Sequence, residues 1–211
     1  LCEWAKTIRK EQVYYLPNGV SDQFFEKGQA RPADFPEDER PVAVYVGTID
    51  TRFDLDTFGQ AVYKMADWHF LLIGEVTNHK LLPGLQELAR RDNLTLLGPK
   101  AYRELPAYLQ HSSAGLIPFQ LNELTEAVNP IKYYEYLASG LPVVAPPMRE
   151  LIEMKGPLNV YEDSKGFFEA LRFTREKREN EMAGLVQFAA QNTWRSRFAE
   201  IERIIGERLD S

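Results

Sequence analysis

The 211-residue sequence is poor in the residues that build disulfides and metal sites. Cys2 is the only cysteine, which excludes an internal disulfide and a cysteine-based metal cluster. The three histidines, His69, His79 and His111, lack the spacing of a metal-ligand motif. We therefore expect neither a metal site nor a bound cofactor.

The sequence also lacks long apolar segments and basic blocks. No apolar run approaches the ~18 residues of a transmembrane helix, and no signal peptide is recognisable. The net charge of −6 argues against general nucleic-acid binding, so an anionic ligand would need a local positive site. These features favour a cytoplasmic protein. Because residue 1 is Leu1 and not methionine, we expect a fragment of a longer chain.

The composition is that of a globular protein, with 44% hydrophobic and 27% charged residues. The predicted strands are Val13 to Leu16, Val42 to Val46, His69 to Ile73, Leu94 to Leu97, Ala114 to Ile117, Leu141 to Ala145 and Asn159 to Tyr161. The predicted helices are Leu1 to Gln12, Leu55 to Met65, Leu81 to Arg90, Arg103 to Gln110, Pro130 to Ala138, Ser164 to Thr174, Asn180 to Gln191 and Thr193 to Arg208. This alternation predicts an α/β fold with a parallel sheet that helices cover on both faces. Ligands of such folds bind beyond the carboxyl ends of the strands.

The most informative segment is NPIKYYEYLASGLPVVA, which runs from Asn129 to Ala145. Asn129 is predicted to be the N-cap of a helix and Pro130 its first residue. Residues Ile131, Tyr134, Leu137 and Ala138 fall on one face, which we expect to pack inward. Gly140 suits the left-handed position that ends a helix, and a buried strand follows.

Lys132 and Glu135 are three residues apart, so they project from one side of this helix near its start. A lysine in the first turn is unfavourable beside the positive end of the helix dipole, unless an anion binds there. A carboxylate one turn further on can accept hydrogen bonds from vicinal hydroxyls. The pair therefore fits a diphosphate with a ribose above it. The alternative is a solvent-exposed pair that stabilises the helix by about 0.3 kcal/mol.

The same segment resembles the donor site of GT-B glycosyltransferases, in particular the group 1 (family 4) type. Those proteins carry a Glu-x7-Glu pattern that ends in E-A-x-A-x-G-x-P-V-V, and Glu135 takes the place of the second glutamate. Ala127 stands at the position of the first, and Asn129-Pro130 replaces the usual Phe-Gly. The form P-x-K-x-x-E-Y-L-A-x-G-x-P-V-V is similar to a branch of bacterial polysaccharide transferases in which the lysine is a phosphate ligand.

The segment YYLPNGVSDQFF resembles the interdomain segment of these enzymes, although it also reads as an ordinary Pro-Asn-Gly turn. The resemblance divides the chain into residues 1–17, the tail of a missing N-terminal domain, and residues 18–192, a Rossmann-like donor-binding domain. Residues 193–211 would form a helix that crosses back to the missing domain. The implied fold is one half of a GT-B fold with added C-terminal helices. We expect the apolar stripe of Phe198, Ile201 and Ile205 to be exposed and to favour self-association.

The resemblance implies further donor contacts in the loops after the strands. Gly47 and Thr48 end the first long strand, where Gly47 would allow close approach and Arg52 would pair with the donor phosphates. The alternative is a glycine turn and a surface arginine. Gly74 takes the first position of a Gly-x-Gly pattern whose second glycine is replaced by Val76.

The segment LGPKAYRELPAYLQHSSAGLIPF resembles the family's loop near the nucleotide base. Lys100 and Tyr102 are therefore expected to contact the base, Tyr102 by stacking. Tyr102 could instead pack on its own helix. We expect His79 to be an exposed loop histidine, and Glu123 and Glu126 to lie in a solvated acidic loop.

The implied function is the donor-binding half of a glycosyltransferase that moves a hexose from a UDP- or GDP-sugar to a glycan or lipid-linked acceptor. Lys132, Arg52 and the amides of Ile131 and Lys132 would stabilise the leaving diphosphate without a metal, and Glu135 would hold the ribose. Asn129 and Pro130 complete the implied site. The acceptor would bind the missing domain, so we expect the fragment to be inactive alone. The full-length protein could associate peripherally with the inner face of the membrane.

Two other functions remain open. A sugar-nucleotide epimerase or hydrolase of the same fold would form product without an acceptor. A non-catalytic nucleotide-binding domain is favoured by Ala127 and by the missing second glycine after Gly74.

Overall fold

The computed structural model describes residues 2–9 and 13–209, in which six parallel strands form one sheet. The strands are β1 (Val42–Val46), β2 (His69–Ile73), β3 (Leu94–Gly98), β4 (Ala114–Leu116), β5 (Val143–Ala145) and β6 (Asn159–Val160). Their order across the sheet is β3-β2-β1-β4-β5-β6. The predicted Rossmann-like α/β fold is confirmed.

Helices connect the strands and pack against the sheet. They are α1 (Cys2–Ile8), α2 (Leu55–Lys64), α3 (Leu82–Leu88), α4 (Leu105–Gln110), α5 (Glu123–Glu126), α6 (Ile131–Ala138), α7 (Arg149–Glu153), α8 (Ser164–Ala190) and α9 (Trp194–Leu209). Three short 3-10 turns lie at Asp22–Phe25, His79–Leu81 and Tyr102–Glu104. No helix in the described part of the chain is both long and apolar enough to cross a lipid bilayer.

The order of the strands reverses between β1 and β4. From β1 the chain moves outward through β2 to β3, and it then returns to β4 and moves outward to β6 on the other side. Every residue of β1 and β2 is buried, which matches their continuous apolar sequences. A crevice outside the carboxyl ends of β1 and β4 is where such a sheet binds its ligands.

Helix α6 is buried on nearly all sides, and not on one face alone as its periodicity predicts. Tyr133, Tyr134 and Tyr136 are all fully buried in it. The reason is that α6 packs between the sheet and α8, so side chains on opposite faces both meet apolar neighbours. The Tyr136 hydroxyl accepts a hydrogen bond from Val46 N at 2.8 Å, and its ring fills the space above Gly115. This contact ties α6 to β1 and β4.

Two further expectations are wrong. The segment from Val13 to Leu16 is not a strand, because no neighbouring strand pairs with it among the described residues. The two helices expected between Ser164 and Gln191 are one continuous helix, α8. The sequence between them, REKRE, contains strong helix formers and neither glycine nor proline, so nothing interrupts the helix.

The start of α9 is attached to the segment near residue 20. Val20 N donates to Asn192 O at 3.0 Å, and Trp194 N donates to Val20 O at 3.1 Å. As expected, Phe198 and Ile205 of α9 are mostly exposed, at 63% and 53%. Self-association through this surface, and the division of the chain into residues 1–17, 18–192 and 193–211, stay predictions.

Candidate functional site

The candidate site lies at the carboxyl ends of β1 and β4, where the strand order reverses. The loop after β1 is held against the segment after β4 by an antiparallel bridge between Phe53 and Phe119. Arg52 O accepts from Gln120 N at 2.8 Å, and Asp54 N donates to Pro118 O at 2.8 Å. These bonds fix Arg52 beside the start of α6.

Gly47 and Gly74 allow three segments to approach closely. Both have a positive φ, 138° and 151°, which favours glycine. A Cβ atom on Gly74 would lie 2.0 Å from Gly47 O, and a Cβ atom on Gly47 would lie 2.7 Å from Lys132 Nζ. The absence of side chains therefore lets the loops after β1 and β2 touch, and lets the Lys132 ammonium reach the end of β1. Their contact with a donor stays a prediction.

Lys132 places its ammonium between two aromatic rings. Its Nζ lies 4.2 Å from the ring centroid of Tyr45 and 4.9 Å from that of Phe119. Within residues 2–9 and 13–209, no carboxylate lies within 4 Å of this ammonium and no group accepts a hydrogen bond from it. Burial lowers the pKa of Lys132 to about 7, and the positive charge of Arg52 adds to the effect, while Glu135 and Asp50 oppose it.

Arg52 shares the Phe119 ring with Lys132. Its Cζ lies 5.2 Å from the ring centroid. Its Nε donates to Asp50 Oδ1 at 2.9 Å and its Nη2 to Asp50 Oδ2 at 2.5 Å. These hydrogen bonds lower the pKa of Asp50, although partial burial opposes the shift. Arg52 is thus paired, whereas Lys132 beside it has no counterion among the residues that the structure describes.

Glu135 lies one turn further along α6, and only 4% of it is exposed. Its Oε1 accepts a hydrogen bond from the Tyr102 hydroxyl at 2.7 Å. Burial raises the pKa of Glu135, while the Tyr102 hydroxyl and the Lys132 charge oppose the shift. The alternative of a solvated surface pair is therefore wrong, because the carboxylate is buried.

Tyr102 reaches across to α6 and does not pack on α4. Its ring meets Phe24 edge-on, with the centroids 5.3 Å apart and an interplanar angle of 66°. The structure thus brings together six predicted site residues at one end of the sheet: Gly47, Arg52, Gly74, Tyr102, Lys132 and Glu135. The predicted stacking of Tyr102 on a base stays a prediction.

The sequence predicts Asn129 as the N-cap of α6, and this prediction is wrong. Pro130 holds that position in an extended conformation, and Ile131 is the first helical residue. The Asn129 side chain is instead bound elsewhere: its Oδ1 accepts from Asn18 N at 3.0 Å and its Nδ2 donates to the Tyr134 hydroxyl at 3.3 Å. The first turn of α6 is left without a side-chain cap.

Two other predicted residues lie outside this group. Lys100 forms an ion pair with Asp34, with Nζ 2.5 Å from Oδ2. Thr48 is exposed, and its carbonyl oxygen accepts from the Tyr45 hydroxyl at 2.7 Å. Donor contacts by Lys100 and Thr48 stay predictions, as does a ligand role for Asn129 and Pro130.

The acidic segment before α6 is partly as expected. Glu123 and Glu126 are exposed, but they belong to the short helix α5 and not to a loop. The Asn122 side chain caps α5 by accepting from Thr125 N at 3.0 Å. His79 is exposed in a 3-10 turn, and Ala127 is exposed just after α5.

The sequence did not single out three members of the site, Tyr45, Asp50 and Phe119, although Asp50 and Phe119 lie in loops expected at the ligand-binding end of the sheet. The continuous apolar sequence of β1 gives no means to separate Tyr45 from ordinary core residues. Asp50 had a local signal, because it lies two residues before Arg52 in a turn. Phe119 follows β4 directly, which places it at the ligand-binding end of the sheet.

Comparison with known proteins places the chain in a family. A sequence profile of the family described as "Glycosyl transferases group 1" matches residues 40–174. The putative teichuronic acid biosynthesis glycosyltransferase TuaH of Bacillus subtilis is 31% identical over 163 residues, which cover 76% of this chain and 40% of TuaH. The chain therefore spans less than half the length of this relative.

Solved structures of glycosyltransferases share the fold at low sequence identity. Sucrose-phosphate synthase from Thermosynechococcus elongatus has a TM-score of 0.69 at 19% identity, over 99% of this chain and 56% of that one. Anabaena HepE in complex with UDP and glucose has a TM-score of 0.68 at 16% identity, over 96% of this chain and 58% of that one. The C-terminal domain of the group 1 protein LpcC from Francisella tularensis has a TM-score of 0.62 at 18% identity. The match covers 82% of this chain and 97% of that one. Since the profile covers more than half of the sequence, the chain belongs to the group 1 glycosyltransferases.

Proposed function

We propose that this chain binds the nucleoside-diphosphate sugar of a glycosyltransferase that transfers a hexose to a glycan or lipid-linked acceptor. One observation carries the proposal: the Lys132 ammonium lies at the strand-order reversal without an anionic partner among the described residues. Lys132 is only partly exposed, and a partly buried cation without a counterion is costly; an anionic ligand removes that cost.

A diphosphate fits the charges around Lys132. The ammonium, the Arg52 guanidinium and the uncapped start of α6 provide positive potential from three directions. Asp50 offsets the charge of Arg52, so Lys132 supplies the remaining positive charge of these three groups when it is protonated. Negative charge grows on the diphosphate as the glycosidic bond breaks, and these groups would stabilise it at that point. Protein cations thus fill the role that a metal ion has in other enzymes.

Glu135 suits the ribose of the same nucleotide. It follows Lys132 by one helical turn, which matches the step from the diphosphate to the sugar of the nucleoside. Its buried carboxylate already accepts a hydrogen bond from one hydroxyl group. A buried carboxylate needs such donors, and the vicinal hydroxyls of a ribose supply two.

The relatives support a UDP-sugar donor and a polysaccharide acceptor. HepE has been solved with UDP, with UDP-glucose, and with UDP and glucose, and the name of TuaH refers to teichuronic acid biosynthesis. Because the chain covers 40% of TuaH and 58% of HepE, the activity of the whole enzyme is part of the proposal. We further propose a cytoplasmic enzyme whose 211-residue chain binds the donor and does not transfer sugar alone. Transferase turnover by this chain would contradict the last point.

Calorimetric titration with UDP, GDP and their hexose conjugates tests the proposal. Lys132→Ala is expected to weaken binding by about 30-fold, which corresponds to ~2 kcal/mol for a charged contact. Glu135→Ala is expected to weaken it about tenfold. Lys64→Ala is the matched control, because the Lys64 ammonium also lies over an aromatic ring, 5.6 Å from the centroid of Phe168, and is outside the site. Normal affinity in both site variants, or no binding by the wild type, would contradict donor binding.

A non-catalytic nucleotide-binding domain is the second candidate. Ala127 favours it, because alanine provides no carboxylate where the family pattern has its first glutamate. In that case UDP and UDP-hexoses would bind equally well. A gain in affinity from the hexose, measured in the same titrations, would favour the transferase instead.

A further inference from the structure

The carboxylate of Glu135 is closed off in this structure. Only 4% of Glu135 is exposed, and its Oε1 is occupied by the Tyr102 hydroxyl at 2.7 Å. In the part of the chain that the structure describes, this is the one hydrogen bond that the carboxylate accepts. A ribose therefore cannot reach Glu135 while the Tyr102 side chain stays where it is.

Tyr102 is the more exposed residue of this pair, and its side chain has few contacts besides the one with Glu135. It is 45% exposed, and its ring touches Phe24 only edge-on. Its hydroxyl is 3.5 Å from Ser21 Oγ, the limit of a hydrogen bond. Its carbonyl oxygen, by contrast, accepts from Gln23 Nε2 at 3.3 Å. The side chain can thus rotate away from Glu135 while the backbone of Tyr102 remains attached.

The chemistry of the contact is that of a hydroxyl group bound to a carboxylate. A buried carboxylate without a donor is costly, so the phenol stabilises Glu135 in this structure. A ribose hydroxyl offers the same donor to the same oxygen. The two groups compete for one position.

We infer that the Tyr102 hydroxyl occupies the place of a ribose hydroxyl on Glu135, and that a nucleotide displaces it on binding. This inference rests on the proposed function, because it requires that Glu135 binds the ribose. Tyr102 is then a residue that sets affinity and specificity. It weakens the binding of every nucleotide, because the hydrogen bond between Tyr102 and Glu135 must break. It favours ligands whose own hydroxyl groups form a new hydrogen bond to Glu135.

Titration of Tyr102→Phe with UDP and with GDP tests the inference. The variant keeps the ring that covers Glu135 and loses only the hydroxyl, so the nucleotide that binds the wild type is expected to bind about tenfold more tightly. Inorganic pyrophosphate, which has no ribose, is expected to bind both proteins equally. Tyr108→Phe is the matched control, because the Tyr108 hydroxyl donates to a carboxylate of similar geometry, Asp34 Oδ1 at 2.7 Å, away from Glu135. It should leave nucleotide affinity unchanged.

A second pair of variants assigns the effect to Glu135. In a Glu135→Ala background, Tyr102→Phe should no longer increase affinity, since no carboxylate remains to compete for. If the wild type binds a nucleotide and Tyr102→Phe leaves its affinity unchanged or weaker, the inference is wrong and the proposed function stands. An equal gain for pyrophosphate, or a gain that persists without Glu135, would also overturn it. Failure of both wild type and Tyr102→Phe to bind either nucleotide would contradict the inference and the proposed function together.

Discussion

Charged side chains have different kinds of partner at the two ends of the parallel sheet. At the amino ends of β1 to β3, His69 lies between two partners, with Nδ1 2.7 Å from Asp38 Oδ2 and Nε2 2.8 Å from Thr95 Oγ1. Arg40 binds the same Asp38 at 2.7 Å and also reaches Asp92. At the carboxyl ends, Lys132 has two aromatic rings and no anion around it among the described residues.

This difference separates a structural network from a candidate binding site. At the amino ends Asp38 pairs with both Arg40 and His69, so the network fastens the segment before β1 to the sheet. At the carboxyl ends Lys132 has no anionic partner in the described part of the chain, and burial lowers the pKa of Lys132 to about 7. A partly buried charge without a partner indicates a ligand better than the presence of charge does.

The largest effect is expected from a substitution that breaks the network at the amino ends of the strands. Asp38→Ala removes the carboxylate that pairs with both Arg40 and His69, and should lower the free energy of unfolding by about 2 kcal/mol. Urea denaturation followed by circular dichroism measures the loss. UDP affinity, corrected for the folded fraction, should stay at the wild-type value. A weakened UDP affinity in the folded protein would mean that the two ends of the sheet are coupled. That result would contradict the view that the network at the amino ends is purely structural.

The sequence predicts the helix ends and strands whose signals lie in neighbouring residues. Asp54, a residue type that favours N-cap positions, caps α2 by accepting from Thr57 N at 3.0 Å, and Gly140 ends α6 with a φ of 76°, as expected. Both signals lie within one turn of the residue that carries them. The positions of the long strands follow in the same way, from apolar runs that end in glycine.

The errors come from contacts between residues that are distant in sequence. Asn129 has the composition of an N-cap, but its partner Asn18 lies 111 positions away and binds it in both directions, with Asn18 Nδ2 donating to Asn129 O at 2.6 Å. Tyr102 similarly binds Glu135, 33 positions further on. A local propensity of about 1 kcal/mol is readily outweighed when tertiary contacts offer two hydrogen bonds.

The next effect in size is a pH dependence that belongs to the carboxyl ends alone. Because burial lowers the pKa of Lys132 to about 7, its neutral amine must take up a proton before it pairs with a diphosphate at higher pH. A bound anion raises that pKa. UDP affinity should therefore fall as pH rises above about 7, by up to tenfold for each pH unit, or ~1.4 kcal/mol.

Calorimetry in buffers with different ionisation enthalpies detects the proton uptake directly. The uptake should be largest between pH 7 and 9 and absent from Lys132→Ala. Equal affinity at pH 6.5 and 9, with no proton uptake, would show that Lys132 does not carry the diphosphate. The paired charges at the amino ends should contribute nothing to this profile.

The smallest expected effect is a gain in stability when Lys132 is lost. Its pKa is about 7 in the folded chain and lies at 10.5 in the reference state, so folding is opposed by the buried charge at every pH below about 7. Between pH 7 and 10.5 the unfolded chain binds more protons than the folded one, and the free energy of unfolding therefore rises with pH. Lys132→Met keeps the apolar stem and removes the charge. It should raise the free energy of unfolding by about 1 kcal/mol at pH 6.5, and the gain should disappear as pH approaches 10.5. Denaturation at the two pH values measures both numbers. A loss of stability in Lys132→Met at pH 6.5 would mean that the ammonium is satisfied in the empty protein, and the contrast between the two ends of the sheet would no longer hold.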